Sequence, residues 1–582
     1  MKKVILSERG ILPNTDITLS LNELIAACGD GTELIFENAD YYFSAKAAEK
    51  ADYRLSNTDV LPLRTLGIRL RGLKNCILRG NGARLWFEGQ MQPLTLDHCE
   101  NITVTGFFIN WRYPLVAEGR ILAHTPDTAD VFVDPERFPH RYRDGSLEFY
   151  VGADEWYALT MSTHQLYDPE GNCILRGTGD RFWPSSVEDL GQDTYRFHLR
   201  GSLDMQDGAT VVLRHNDRLH AGIFSEKCKN LIFDNITIHS CGGLGCLAQF
   251  CHDLVYRRIH FAPDTAAGRR VSNGHDDGMH LTCNSGRVTV TECSFVGLMD
   301  DPINIHGCCV TSDETVGTHA LRCRYRQAQA QGFAYWAEEG DELVFLDKRT
   351  MAPIAHACVA SYALEADDTF LLTLAEPVPE AVAALAAEGD LLAIDNLTHT
   401  AEFVCTGNRF GSCRARGLLV STPKPVLIAD NYFESSGSAI LLAGDSNYWY
   451  ESGACHDVTI RNNIFTDRCL TSIYQFCEGV ISICPVVPEP DPTLPFHRGI
   501  RILDNTFDTA DAPVLYAFSC EDLEMRGNRI LRSPSKRWWP RKSAMVTLRY
   551  TRNATISGNR LLGSFTLAPL ALECCEAISA DL

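Results

Sequence analysis

The sequence predicts an all-β protein built as a parallel β-helix, a solenoid of short stacked strands interrupted by two small inserted β modules. Three observations predict it. A nine-residue phrase returns ten times between residues 75 and 561. Adjacent copies start 26, 23, 23 and 31 residues apart, the interval of a solenoid repeat. The phrases follow one another without intervening helices and with few of the Asn-Gly or Asp-Gly turns that join the strands of a sandwich.

The copies span residues 75–83, 101–109, 230–238, 253–261, 287–295, 425–433, 457–465, 499–507, 522–530 and 553–561. Positions two and four are mostly apolar and position nine usually so, as in NITVTGFFI and DVTIRNNIF. That pattern is strand, polar bend, strand. The last five copies carry Asn at position seven: Asn431, Asn463, Asn505, Asn528 and Asn559. Asn accommodates the left-handed backbone of a sharp bend, and stacked Asn side chains bond along a pile of coils.

Taken in order, residues 1–111 hold an N-terminal cap and the first coils. Leu19 to Cys28 reads as a short amphipathic helix ended by Gly29 and Gly31, ahead of extended runs at 33–36 and 41–43. A helix ahead of the first strand is either a lid on the open strand stack or an ordinary surface helix. Residues 112–218 lack the phrase but show β-prone runs, and read as the first inserted module. Its aromatics Trp156, Tyr157 and Trp183 belong either to a self-contained β core or to a cleft wall. Residues 219–311 return to the coils and carry the acidic region, 312–403 form the second inserted β module, and 404–582 are the C-terminal coils.

A formal charge of −21 argues against a nucleic-acid partner, which needs a basic footprint. The 23 cysteines are an odd count dispersed over 582 residues, unlike a disulfide framework. The opening MKKVILSERG has too short an apolar run for a signal peptide, and no later segment reaches membrane-spanning length. The expectation is a cytoplasmic chain with reduced thiols, or a secreted or cell-surface one if a signal precedes it, with no membrane partner and self-association left open.

The stretch from Ser272 to Val310 carries the chemistry. It holds His275, Asp276, Asp277 and His280, then Asp300, Asp301, Asn304 and His306, on either side of a strand-like run at 287–295. Asp277 and Asp300 stand 23 residues apart, read as one coil, which places them on neighbouring rungs about 4.8 Å apart. Asp300 and Asp301 would face opposite sides of a regular strand, but Pro302 favours a bend that turns both into one groove. Like charges stacked this closely raise the pKa of one of them, which equips a site with a protonated acid beside an ionised base. A self-capped Asp loop and a calcium site stay open as alternatives. The histidines lack zinc-site spacing, so no zinc site is read there, and no cofactor is expected.

These residues, Asp277-Gly278-Met279-His280 and Met299-Asp300-Asp301 through Asn304-Ile305-His306-Gly307, resemble glycoside hydrolase family 110, the exo-acting α-1,3-galactosidases. Gly243 to Gly245 before Gln249, Arg416 to Leu419 with Thr422, and Asp445 through Gly453 extend the resemblance over most of residues 100–470. It implies a right-handed β-helix with inserted β-barrel-like modules, a galactose-terminated oligosaccharide or glycoconjugate as partner, and metal-independent inverting hydrolysis. It is similar, too, to the three-aspartate site of pectin-hydrolysing β-helix enzymes. Carried over, Asp300 is the general acid, while Asp277 and Asp301 activate water. Inversion requires carboxyls roughly 6.5–9.5 Å apart. Pro302 departs from the family, where a small residue is expected.

Further expected site residues are Trp449 and Glu451, with Tyr450, on a loop between two phrases. Their aromatic face and carboxylate suit sugar C–H surfaces and hydroxyls. His280, His306 and Asn304 either bind hydroxyls, orient the aspartates or are structural, and Arg416 either binds sugar or pairs with the acids. Cys308 and Cys309 read as packing residues. The rival readings are another β-helix glycosidase, a polysaccharide lyase, and a non-catalytic glycan-binding tailspike-like β-helix.

Overall fold

The computed structural model describes residues 1–58, 62–215, 217–535 and 544–581. The dominant element is a sheet of 34 strands, nearly all paired in parallel with the equivalent strand of the coils before and after. Three stacks of strands make the walls of the solenoid. Each nine-residue phrase supplies two of them. Thus Val426–Ala429 pairs with His456–Arg461, and Tyr432–Phe433 pairs with Ile464–Phe465. A third stack runs through Cys246–Gln249, Met279–Thr282, Ile303–Cys308, Leu418–Ser421 and Ile440–Leu442.

Position nine points inward and builds a continuous aromatic column. Phe261, Phe295, Phe410, Phe433, Phe465 and Phe507 stack with centroid separations between 4.5 and 5.5 Å. The corner beside it is held by asparagines. Asn431 Nδ2 donates to Asn463 Oδ1, Asn463 to Asn505 and Asn505 to Asn528, each at 3.0 Å. The ladder begins one coil earlier than expected, at Asn408, which donates to Asn431 at 3.0 Å. Asn408 is position seven of an eleventh phrase, residues 402–410, which overlaps the expected end of the second module at 403. The ladder asparagines do not themselves take the left-handed bend, contrary to expectation. Positive φ falls on position six, at Asp430, Asn462, Asp504, Gly527 and Gly558. Their side chains are thereby freed to bond along the axis.

The helix is present as Thr18–Cys28, with Leu21 and Ile25 buried in the solenoid core. It does not precede the first strand. Lys2–Ile5 comes before it and pairs in parallel with Thr32–Ile35. The first inserted region is an antiparallel six-stranded sheet between Val116 and Arg214 with a three-stranded sheet beside it, and has its own core around Phe182 and Phe197. The second is a closed six-stranded barrel from Val310–Val316 to Leu392–Asn396, and includes a helix, Glu380–Ala387, not foreseen from sequence. Trp156 and Trp183 are neither core nor cleft wall. They lie on the first module's surface under the Arg141 and Arg200 guanidinium groups, while Tyr157 packs against the solenoid. No described helix is long and apolar enough to cross a membrane, and all 23 cysteines, Cys308 and Cys309 among them, are free.

Candidate active site

The third strand stack sets the register of the site. Met279 pairs with Ile303 and Ile303 with Leu418. Two residues before each lie Asp277, Asp301 and Arg416, so these three form one column along the solenoid. The partner of Asp277 on the next rung is therefore Asp301, and the interval is 24 residues where the phrase spacing suggested 23. The ladder confirms this: the Gly278 N–H donates to the Asp301 carbonyl at 3.0 Å and the Met279 N–H to the Pro302 carbonyl at 2.9 Å. Residues 299–302 lie outside any strand, and the bend at Pro302 brings Asp300 and Asp301 to the same cleft.

That cleft, about 700 Å3 counting the space open to solvent, is lined by Asp277, Asp300, Asp301, Asn304, Arg416, Trp449 and Glu451. Seven of the nine expected site residues thus meet there. His280 and His306 are the two that do not line it. They are buried behind the acids, with His280 Nδ1 2.8 Å from Asp277 Oδ2 and the two Nε2 atoms 2.9 Å apart. Those atoms and a Glu451 oxygen lie within 4.8 Å of one another, which raises the question of a metal. Two nitrogens bonded to one tetrahedral ion at 2.0–2.1 Å stand about 3.3 Å apart. The 2.9 Å contact is instead that of a hydrogen bond.

The carboxyls are partnered unequally. Arg416 grips Asp301 twice, with Nη2 2.8 Å from Oδ2 and its backbone N–H 2.9 Å from Oδ1. Arg414 Nη1 lies 2.8 Å from Asp300 Oδ1 and its other nitrogens hold Asp180 of the first module. Burial pushes Asp301 up to about 8 despite the Arg416 charge, aided by its neighbours Asp300 and Asp277. Burial, then the Asp300 charge, raises Asp277 well above the usual carboxylate range. The adjacent Asp276 behaves oppositely. It is buried too, but His275, Arg218 and Arg214 outweigh burial and hold it low, so it reads as a structural ion pair.

The loop before residue 453 closes one side. Asp445 accepts the backbone N–H groups of Asn447, Tyr448 and Trp449, which folds the turn and presents Trp449, 40% exposed, to the cleft. Tyr450 turns away to Lys348, 3.5 Å from its hydroxyl. Glu451 accepts from Asn304 at 3.1 Å and from Asn57 at 2.7 Å. Burial opposes its charge, but the two histidines and these donors hold it below the ordinary glutamate range.

Sequence reasoning missed Arg414, Arg218, Asn57 and Gln329, all of which line the cleft or hold an acid. Arg414 had a signal as a second arginine two residues before Arg416, although the residue between them, Ala415, takes a positive φ and the pair lies on a bend and not on a strand. Asn57 and Gln329 arrive from distant coils and from the barrel, and nothing local marks them. Chemically the site offers two stacked carboxyls whose proton affinity burial raises, a third at the mouth, and guanidinium groups to balance their charge.

Residues 117–211 match the family described as GLAA-B beta-barrel domain I. Over 97% of its length the chain is 37% identical to the alpha-1,3-galactosidase B of Bacteroides thetaiotaomicron, covering 91% of that protein. It is 32% identical to an alpha-1,3-galactosidase B of Phocaeicola vulgatus, over 91% of this chain and 90% of that one. It is 30% identical to the alpha-1,3-galactosidase A of Bacteroides fragilis strain YCH46, over 84% and 80%. Among solved structures, the family 28 exopolygalacturonase of Yersinia enterocolitica superposes with a TM-score of 0.44 at 12% identity, over all of this chain and 78% of that one.

Proposed function

The chain belongs to the family of the α-1,3-galactosidases A and B, and from that premise we propose that it removes terminal α-1,3-linked galactose from blood group B-type and linear glycans by inverting, metal-independent acid–base hydrolysis. The observation that carries the mechanism is the column. Asp277 and Asp301 occupy neighbouring rungs about 4.8 Å apart at the backbone, both facing the cleft. That is a cradle for one water between two carboxyls. Asp300 stands off the column with 25% of its side chain exposed, where a departing glycosidic oxygen meets it first. In this reading Asp300 protonates the leaving oxygen while Asp277 and Asp301 activate water on the opposite face of the sugar.

Unsatisfied groups at the cleft suit a polyhydroxylated ligand. Asn304 Oδ1 and Arg416 Nε are buried with no hydrogen-bond partner among the described residues, one an acceptor and one a donor. Trp449 supplies the apolar face against which sugar C–H groups pack.

One observation favours a second allocation of roles. Each carboxyl faces a guanidinium at 2.8 Å, Asp300 that of Arg414 and Asp301 that of Arg416, but burial still raises Asp301 to about 8, which makes Asp301 the acid instead. A leaving-group comparison separates the two. Asp300→Asn and Asp301→Asn are assayed on an α-1,3-galactobiose and on an aryl α-galactoside with a good leaving group, with the first-formed anomer read by NMR in EDTA. Loss of the acid costs about 10²–10⁴ on the disaccharide and little on the aryl substrate. Rescue of Asp300→Asn alone supports the first allocation, and rescue of Asp301→Asn alone supports the second. α-Galactose as the first product would sink inversion.

A further inference from the structure

The two histidines behind Asp277 constrain each other's protons. A carbonyl oxygen only accepts, so the 2.7 Å contact between His306 Nδ1 and the Gly307 carbonyl places a hydrogen on Nδ1. Neutral His306 then offers a lone pair at Nε2, 2.9 Å from His280 Nε2. Two lone pairs do not meet at that distance, so His280 Nε2 carries hydrogen and donates. The remaining nitrogen, His280 Nδ1, lies 2.8 Å from Asp277 Oδ2, and a hydrogen must lie between those atoms as well. It belongs either to the carboxyl beside a neutral imidazole or to an imidazolium beside a carboxylate.

Burial favours the neutral pair in the free enzyme. It lowers His280 to about 4 and His306 below its ordinary value, while it raises Asp277. The resting contact is therefore Asp277 Oδ2–H donating to neutral His280 Nδ1. A carboxyl in that state is a poor base unless its proton has somewhere to go.

We propose that His280 is the proton store of the hydrolysis, working through Asp277 as a positioning residue. The proposal rests on the assignment of Asp277 to the water. As the water oxygen bonds to the anomeric carbon, its O–H bond breaks and the proton passes to Asp277 Oδ1. In the same step the Oδ2–H bond breaks and that proton passes to His280 Nδ1, while the glycosidic bond breaks and the leaving oxygen takes a proton from the acid. His280 ends as an imidazolium with its Nε2–H still bound to His306, a charge that burial opposes and that the Glu451 and Asp300 carboxylates offset. The charges that face it are Asp277 in its own turn, Glu451 across the cleft rim, Asp300 on the next coil and Arg218. The Glu451 carboxylate lies 3.7 Å from His306 Nε2 and is the counter-charge on the far side of the pair. His306 and the Gly307 carbonyl fix the tautomer that leaves Nδ1 free to receive.

The test uses the full-length protein labelled with 15N-histidine. Long-range proton–nitrogen spectra at neutral pH are expected to show His280 protonated only at Nε2 and His306 only at Nδ1. A His280 with hydrogen on Nδ1 and a bare Nε2, or a His306 protonated on both nitrogens, overturns the proposal. So does zinc or manganese binding that shifts both Nε2 signals at micromolar metal. Turnover provides the second arm. His280→Gln is expected to lower kcat about 10²-fold with KM unchanged, and to remove the limb of the kcat–pH profile that reports the store. A kcat within threefold of wild type overturns the relay. If His280→Gln does not fold, His306→Asn tests the same tautomer, with the expected loss again in kcat and not in KM. Wild-type protein that cleaves no α-galactoside refutes the functional reading instead, and the tautomer spectra decide the hydrogen-bond chain independently of it.

Discussion

Replacing Asn463 by Ala removes one rung of the asparagine ladder, and its cost follows from the contacts. The side chain donates to the Ile428 carbonyl and to Asn505 Oδ1, and accepts from the backbone N–H and the side-chain amide of Asn431, all at 3.0 Å. At about 1 kcal/mol net per hydrogen bond, four bonds amount to about 4 kcal/mol. The true loss is larger if the Asn431 N–H, buried inside the corner, finds no new partner. Asn559 at the end of the ladder is the internal control. It makes three such bonds, to Met525 and Asn528, but lies at a half-exposed position where water substitutes. Asn559→Ala is expected to lose about 1 kcal/mol. Urea unfolding of both variants, read as midpoints at constant m, gives the comparison. Equal losses below about 1 kcal/mol would show that the phenylalanine column holds the corner and the ladder contributes nothing net.

Three further outcomes are expected. Asp301 is raised to about 8 when folded, against 3.8 unfolded, so its proton stabilises the fold fully below pH 4 and that contribution is lost as pH rises to about 8. Thermal unfolding of wild type and Asp301→Asn, whose amide is neutral throughout, should therefore diverge from pH 4 to pH 8 as wild type loses stability relative to the variant, and a constant gap would refute the shift. Trp449→Ala should raise KM for disaccharides about tenfold while kcat changes little, given the 40% exposure of the indole at the rim. An unchanged KM would remove Trp449 from the binding surface. Dialysis against EDTA should leave the rate unaltered, and a loss reversed by calcium would overturn metal independence.

Much of this architecture was legible because the repeat is local chemistry. Apolar positions two, four and nine, with the asparagines, report a strand, a bend and a core column without reference to any distant residue. The site was legible only where it shares that register. Asp277, Asp301 and Arg416 lie two residues before paired strands, yet the phrase spacing led to Asp300 as the partner of Asp277. The reason is that the turn between the second and third strands of a coil varies in length, so the phrase and the third stack keep separate counts. The eleventh phrase at 402–410 was hidden by the barrel that ends beside it. His280 and His306 stay divided between binding hydroxyls, orienting the aspartates and being structural, because composition cannot tell a wall from what lies behind it. Asn57 and Gln329 left no trace at all, since their meeting depends on how a loop and a barrel dock.

The column that carries Asp277, Asp301 and Arg416 continues with Leu244 above and Ser438 below, by the same register. Along it, position is quantised. Moving a carboxyl by one coil displaces it by about 4.8 Å, with no intermediate step available to a parallel ladder. Retaining and inverting glycosidases differ in carboxyl separation by only about 1–4 Å. A solenoid therefore cannot drift between the two stereochemical outcomes by small backbone adjustments. It selects one by the rung on which each acid is written, and a change of outcome requires rewriting that rung.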